Sequence, residues 1–158
     1  ALAREKEQAE ARLSTSEQAY ESALKENKER LAVAARLNSI VTSNMALATT
    51  LMNTDLRDMS NDLDGLIAKS LETKRNTEQA LADFGKNKIT DTLFVESASI
   101  IKDGLKLLAE SGLYYSLYYK AEDSAQEELR ERIMRQKAKN ALSTLQRASA
   151  LIASKNSQ

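Results

Sequence analysis

Histidine, cysteine and proline are all absent from the 158 residues, glycine occurs four times, and the only aromatics are five tyrosines and two phenylalanines. Each absence excludes a class of chemistry or structure. Without His there is no imidazole base, no Glu-x-x-His di-iron signature and no zinc site of the usual kind. Without Cys there are no disulfides and no thiolate nucleophile, and the redox state of the compartment is unreadable. No glycine-rich stretch is available to cradle a phosphate. The expected catalytic, cofactor and metal residues are therefore none, no small-molecule substrate is expected, and the chain reads as a non-enzyme.

Charge of one sign is missing as well. Lys plus Arg and Asp plus Glu number 23 each, so no global field draws the chain to nucleic acid, and a nucleic-acid partner is not expected. No run of about 18 apolar residues is present to span a bilayer. The chain opens Ala1-Leu2-Ala3-Arg4-Glu5-Lys6, with neither an initiator Met nor an apolar leader segment. It reads as a soluble processed chain or fragment of unknown compartment.

What remains is helix-forming: Ala, Leu, Glu, Lys, Gln and Arg dominate throughout. Between Ala1 and Arg30, seven acids and six bases surround a narrow apolar stripe of Leu2, Ala9, Leu13, Tyr20 and Leu24, leading to Leu31. Gaps near multiples of three and four predict a coiled-coil seam. The pairs Glu21 with Lys25 and Glu26 with Arg30 add about 0.2–0.5 kcal/mol each, too little to hold such a helix without a partner.

From Leu31 to Thr54 the only charge is Arg36. Val41, Met45, Ala48 and Met52 keep the helical spacing, while Leu37, Ile40, Leu47 and Leu51 widen it. The pattern predicts a central helix covered on most sides. Thr42, Asn44, Thr49 and Thr50 disfavour a lipid-spanning helix, so membrane contact is the lesser expectation.

Asn53-Thr54-Asp55 offers cap residues in a row, and Leu56, Met59, Leu63, Leu66, Ile67 and Leu71 then resume a helical face. Ser60 to Leu71 matches a calcium loop at Gly65 and three other positions. It places Ser60 and Leu71 where a carboxylate and a bidentate Glu are needed, so Asp58 and Asp62 are read as a solvated acidic face of a helix. Phe84 to Asp91 predicts a reversal, with Gly85 in a left-handed C-terminal position and Thr90 or Asp91 capping the next helix. That helix presents Leu93, Phe94, Ala98, Ile101, Leu105 and Leu108. Gly104 and Gly112 mark close helix contact, a bend or, at Gly112, an ending.

Leu113 to Tyr119 reads Leu-Tyr-Tyr-Ser-Leu-Tyr-Tyr and holds four of the five tyrosines. In a helix, Tyr114 and Tyr118, Tyr115 and Tyr119, and Leu113 and Leu117 form three adjacent ridges. These rings either fill one end of a bundle or form an exposed protein contact, which makes Tyr114, Tyr115, Tyr118 and Tyr119 the candidate interaction residues. From Glu122 to Lys139 acids give way to bases, the order a helix dipole favours, and Leu129, Ile133, Leu142, Leu145 and Ile152 are expected inward.

A single hairpin reversing at Lys86 to Lys88 would lay the uncharged segment on the charged one. A further turn near Asn53 avoids this. The expected fold is all-α: an elongated antiparallel three- or four-helix bundle of one domain, 1–158, with coiled-coil character and a projecting N-terminal helical arm. The expected helices are 1–52, 55–84, 91–119 and 122–154, with breaks at 53–55 and 111–121. The expected function is a structural or protein-interaction module that binds a protein partner or self-associates through helix faces. The alternative is a secreted or surface-exposed component of a transport, secretion or toxin apparatus that contacts membrane.

Overall fold

A computed structural model describes residues 1–157. It contains α1 (Leu2–Asn53), α2 (Leu63–Lys86), α3 (Val95–Tyr118) and α4 (Ser124–Asn156), with no strand among the described residues. The protein is an all-helical bundle. It divides into two compact units, Ala1–Arg36 and Leu37–Gln158. The first unit consists of the N-terminal part of α1. The second holds the rest of α1 together with α2, α3 and α4.

Within the second unit, buried residues recur at alternating steps of three and four. On α1 they are Leu37, Val41, Asn44, Ala48 and Leu51; on α3 and its N-cap Phe94, the line runs through Phe94, Ser97, Ile101, Gly104, Leu108, Ser111, Tyr115 and Tyr118; on α4 Met134, Ala138, Ala141, Leu145, Ala148 and Ile152. This step averages 3.5 residues, so each stripe stays on one side of its helix. Ala48, Leu51, Leu108, Tyr115, Met134, Ala138 and Ala141 meet in one core cluster.

Contacts fix the helix directions. The Ser111 hydroxyl donates to the Met134 carbonyl at 2.8 Å, and Arg130 Nη1 donates to the Leu117 carbonyl at 2.6 Å. A Cβ on Gly104 would come within 2.9 Å of Leu145 Cγ, so α3 and α4 run antiparallel. Helix α2 also runs antiparallel to α3: Leu66 shares a cleft with Tyr118, Gly112 lies against Lys74 and Thr77, and Phe84 shares a cleft with Ala98. Of the alternatives for Gly112, close contact is the one realised. A Cβ there would meet Thr77 Oγ1 at 2.5 Å and the Lys74 Cα at 3.3 Å, and α3 continues to Tyr118.

Several local expectations are corrected. The second helix starts at Leu63, not 55. In the intervening segment Asp55 accepts from the Arg57 amide, and Asp58 accepts from both the amide and the hydroxyl of Ser60. Such local side-chain bonds offer the backbone an alternative to helix. Met59, expected on the inner face, is consequently 97% exposed. Asp58 and Asp62 are not a helical acidic face: Asp62 is the N-cap of α2, its Oδ1 accepting from the Gly65 amide at 2.7 Å. Among the described residues none has positive φ, so Gly85 does not terminate α2 in the left-handed region. Asn87 caps it instead, donating its amide to the Phe84 carbonyl. Asp91 accepts from the Leu93 amide, and α3 begins only at Val95. The break expected within 111–121 narrows to a turn just after Tyr118, and Asp123 caps α4 by accepting from the Gln126 amide at 2.8 Å.

The segment from Leu31 to Thr54 is not covered on most sides. Thr42, Ala46, Thr49 and Thr50 are exposed, and Thr49 and Thr50 donate to the carbonyls four residues back. Its low charge reflects a Ser/Thr/Ala outer face rather than deep burial.

Candidate functional site

The tyrosine stretch closes one end of the second unit. Tyr115 is 2% exposed and Tyr118 is buried, while Tyr114 and Tyr119 are half-buried against the same cluster. Tyr118 and Tyr119 pack edge to face, with centroids 5.0 Å apart, a favoured arrangement for aromatic quadrupoles. The Tyr119 hydroxyl donates to the Leu56 carbonyl at 2.7 Å and ties α3 to the segment after α1. Of the four candidate residues, none presents a fully exposed ring.

The Tyr118 hydroxyl is buried with no partner in hydrogen-bonding range, although the Glu127 carboxylate is close enough to oppose its ionisation. The Arg57 guanidinium lies 5.7 Å from the Tyr118 ring centroid and pairs with Glu127 at 3.7 Å. Leu56, Met59, Leu63, Leu66, Tyr118 and Tyr119 are among the residues that line a cleft of about 430 Å³ here. The two hydroxyls therefore separate in effect. Tyr119→Phe should cost about 1 kcal/mol, lowering Tm by about 2–4 °C. Tyr118→Phe should leave Tm unchanged or raise it, since it removes an unsatisfied buried group. Thermal melts followed by circular dichroism check both.

Burial pushes the hydroxyls of Tyr115, Tyr118 and Tyr119 above the usual phenol range. Tyr119 is shifted most strongly, its neighbours Tyr115 and Tyr118 adding to the effect. A raised folded-state pKa means that the unfolded chain releases these protons first as pH rises. The contribution is fully present below about pH 10, the ordinary tyrosine value, and is lost above it. Denaturant midpoints should thus begin to fall near pH 10, and phenolate absorbance from these three rings should appear together with unfolding.

Two arginines of α4 act inward. Helices α1 and α3 both lack a basic residue in the last turn. Arg135 donates to the Leu51 carbonyl at 2.8 Å and the Thr54 carbonyl at 2.6 Å, and Arg130 reaches Leu117 as described. The cations of a neighbouring helix thus bind carbonyls at two helix ends, Leu117 accepting also from the Lys120 amide. Lys137 pairs with Glu110 of α3 at 2.6 Å. Much of the basic cluster on α4 is accordingly engaged within the fold.

The first unit differs in kind. Leu13, Tyr20 and Leu24 are 62%, 67% and 52% exposed, and Leu2 and Leu31 are exposed as well. The stripe Leu13, Ser16, Tyr20, Ala23, Asn27, Arg30 keeps the alternating steps of three and four, in register with Leu37, Val41, Asn44, Ala48 and Leu51 on the same helix. The apolar stripe expected from the sequence, Leu2, Ala9, Leu13, Tyr20, Leu24 and Leu31, shares only Leu13 and Tyr20 with this line, and the sequence reading gives the tyrosine cluster first place as an interaction site.

Among the described residues no His, Cys, Asp and Glu are grouped so as to hold a metal ion, and no helix is long and apolar enough to cross a membrane. No family model, curated protein or solved structure matches the chain.

Proposed function

We propose that the protein is a non-enzymatic interaction module: a self-sufficient helical bundle whose contact surface is the coiled-coil stripe in the first part of α1. The observation carrying this is the exposure of Leu13 and Tyr20 in the register that is buried from Ala34 onward, with Leu24 exposed beside them. Large apolar side chains repeated along one helix face have a high affinity for a partner helix, and an isolated helix of this kind is marginal in water. The membrane alternative is motivated by Leu31 to Thr54 and the tyrosines, and of these Leu37, Val41, Ala48, Leu51, Tyr115 and Tyr118 are buried within the chain.

The test is site-specific photo-crosslinking in cells that naturally make the protein. A benzophenone amino acid replacing Tyr20 should yield a discrete protein adduct on irradiation, and one replacing Gln18, away from the stripe, should yield far less. Equal or absent adducts at the two positions would remove the stripe as a contact surface.

A further inference from the structure

We infer that the cleft between the Leu56–Leu66 stretch and the Tyr118–Glu127 turn binds a small organic cation, an ammonium group carried on an apolar ring or chain. The cleft lies wholly within the second unit and is independent of the contact surface on α1. It is assigned as a ligand site, with no reaction attached to it.

The apolar part of the site is large enough for such a body. Leu56, Leu66 and the two tyrosines line the cleft together with Met59 and Leu63, which are 97% and 62% exposed. Its volume of about 430 Å³ falls in the range of small-molecule sites. Three polar groups converge on the same cleft and are poorly matched to one another. Tyr118 is 4% exposed and its hydroxyl has no hydrogen-bond partner, which costs free energy. The Arg57 guanidinium and the Glu127 carboxylate are 3.7 Å apart, within ion-pair range but too far for a hydrogen bond. The same guanidinium sits 5.7 Å from the Tyr118 ring centroid, near the outer limit of a cation–π contact. Ring and carboxylate thus form a seat for a cation, and the chain's own cation satisfies neither closely. The Arg57 side chain is 65% exposed, so it can turn into water without giving up a buried contact.

Charge and hydrogen bonding select the ligand. An ammonium is more compact than a guanidinium and carries up to three donors. The Glu127 carboxylate is close enough to the Tyr118 hydroxyl to oppose its ionisation, so one ammonium can donate to both oxygens while its apolar body lies along Leu56, Met59, Leu63 and Leu66. Asp58 lines the cleft as well, and the Ser60 hydroxyl and amide hold its carboxyl below the usual range. The lining therefore carries two carboxylates against one guanidinium. An anion would be repelled by both, and a neutral apolar molecule would leave the Tyr118 hydroxyl unpartnered.

The test is a titration of the full chain with 2-phenylethylammonium, followed by amide chemical shifts, beside neutral 2-phenylethanol and anionic 3-phenylpropionate. Saturable shifts should concentrate on the amides from Leu56 to Leu66 and on Ala121, with a dissociation constant of about 1 mM or below for the amine. The alcohol and the acid should each bind at least about tenfold more weakly. Glu127→Gln should weaken the amine about tenfold or more, and Tyr118→Phe, which keeps the ring, about threefold. Arg57→Ala removes the competing cation and should tighten the amine about threefold. Absence of saturation up to about 20 mM overturns the inference. So does a groove that is merely apolar, binding alcohol and amine alike and indifferent to Glu127→Gln, and so does weaker binding of the amine in Arg57→Ala. None of these outcomes bears on the photo-crosslink at Tyr20, so each reading fails on its own experiment.

Discussion

Replacing Tyr115 with Ala is expected to destabilise the bundle by about 3–5 kcal/mol, the range for deleting a large buried aromatic. Tyr115 is 2% exposed and shares its cluster with Leu51, Leu108, Met134 and Ala138. The deletion opens a cavity where elements of α1, α3 and α4 meet, and the surrounding helices can relax only partly into it. At about 2–4 °C of Tm per kcal/mol for a chain of this size, the melt should drop by on the order of 10 °C. Tyr114→Ala, on a half-buried position, should cost distinctly less. Urea unfolding followed by circular dichroism reads both, and an unchanged slope with a lower midpoint identifies the loss as stability. Equal, small effects at the two positions would return the stretch to the status of a surface patch.

The second large effect is expected at Arg135. Its guanidinium spans the Leu51 and Thr54 carbonyls and pairs with Glu131 at 3.1 Å. Charge-assisted hydrogen bonds contribute about 1.5–3 kcal/mol each, but they are not additive, and water reaches part of this site. Arg135→Ala should therefore cost about 2–3 kcal/mol, with faster amide exchange in the last turn of α1. Arg135→Lys should recover less than half. A compact ammonium on a flexible stem does not reproduce the planar fork that reaches two carbonyls three residues apart. Full rescue by Lys would mean that charge near the helix end, rather than the bidentate geometry, is what matters.

These two sites show how unevenly the structure was legible in the sequence. The all-helical class followed from the lack of Pro and the scarcity of Gly, and the reversals followed from charge and cap residues. Of the residues expected on the packing surface of α4, Leu145 and Ile152 are fully buried and Leu129 is exposed, and the rest of the buried line runs through Met134, Ala138, Ala141 and Ala148 rather than Ile133 and Leu142. Alanine is neutral in a hydrophobic pattern, so a seam that brings helices close through small residues leaves little trace. The same holds for Ser97 and Ser111 on α3, whereas Gly104 was legible as a mark of close helix contact. The segment between α1 and α2 was misplaced because Leu56, Met59 and Leu63 keep a helical spacing by chance, while Asp55 and Asp58 satisfy nearby amides and hold the chain in turns. Arg135 was out of reach because its partners lie more than 80 residues away in sequence. The tyrosines could be placed on one helix face, but their burial depends on which helices surround it.

On the proposed function the chain divides into a bundle that stands on its own core and a helical stretch that depends on contact with another molecule. Residue-resolved hydrogen exchange of the full chain at high dilution tests that division most directly. Amides of α3, of α4 and of the α1 segment from Leu37 to Asn53 should exchange slowly, at the rate of global unfolding. Amides from Ala9 to Leu31 should exchange orders of magnitude faster, with the step near Arg36. Protection of Ala9 to Leu31 as strong as that of the core, undiminished on dilution, would contradict this division of the chain.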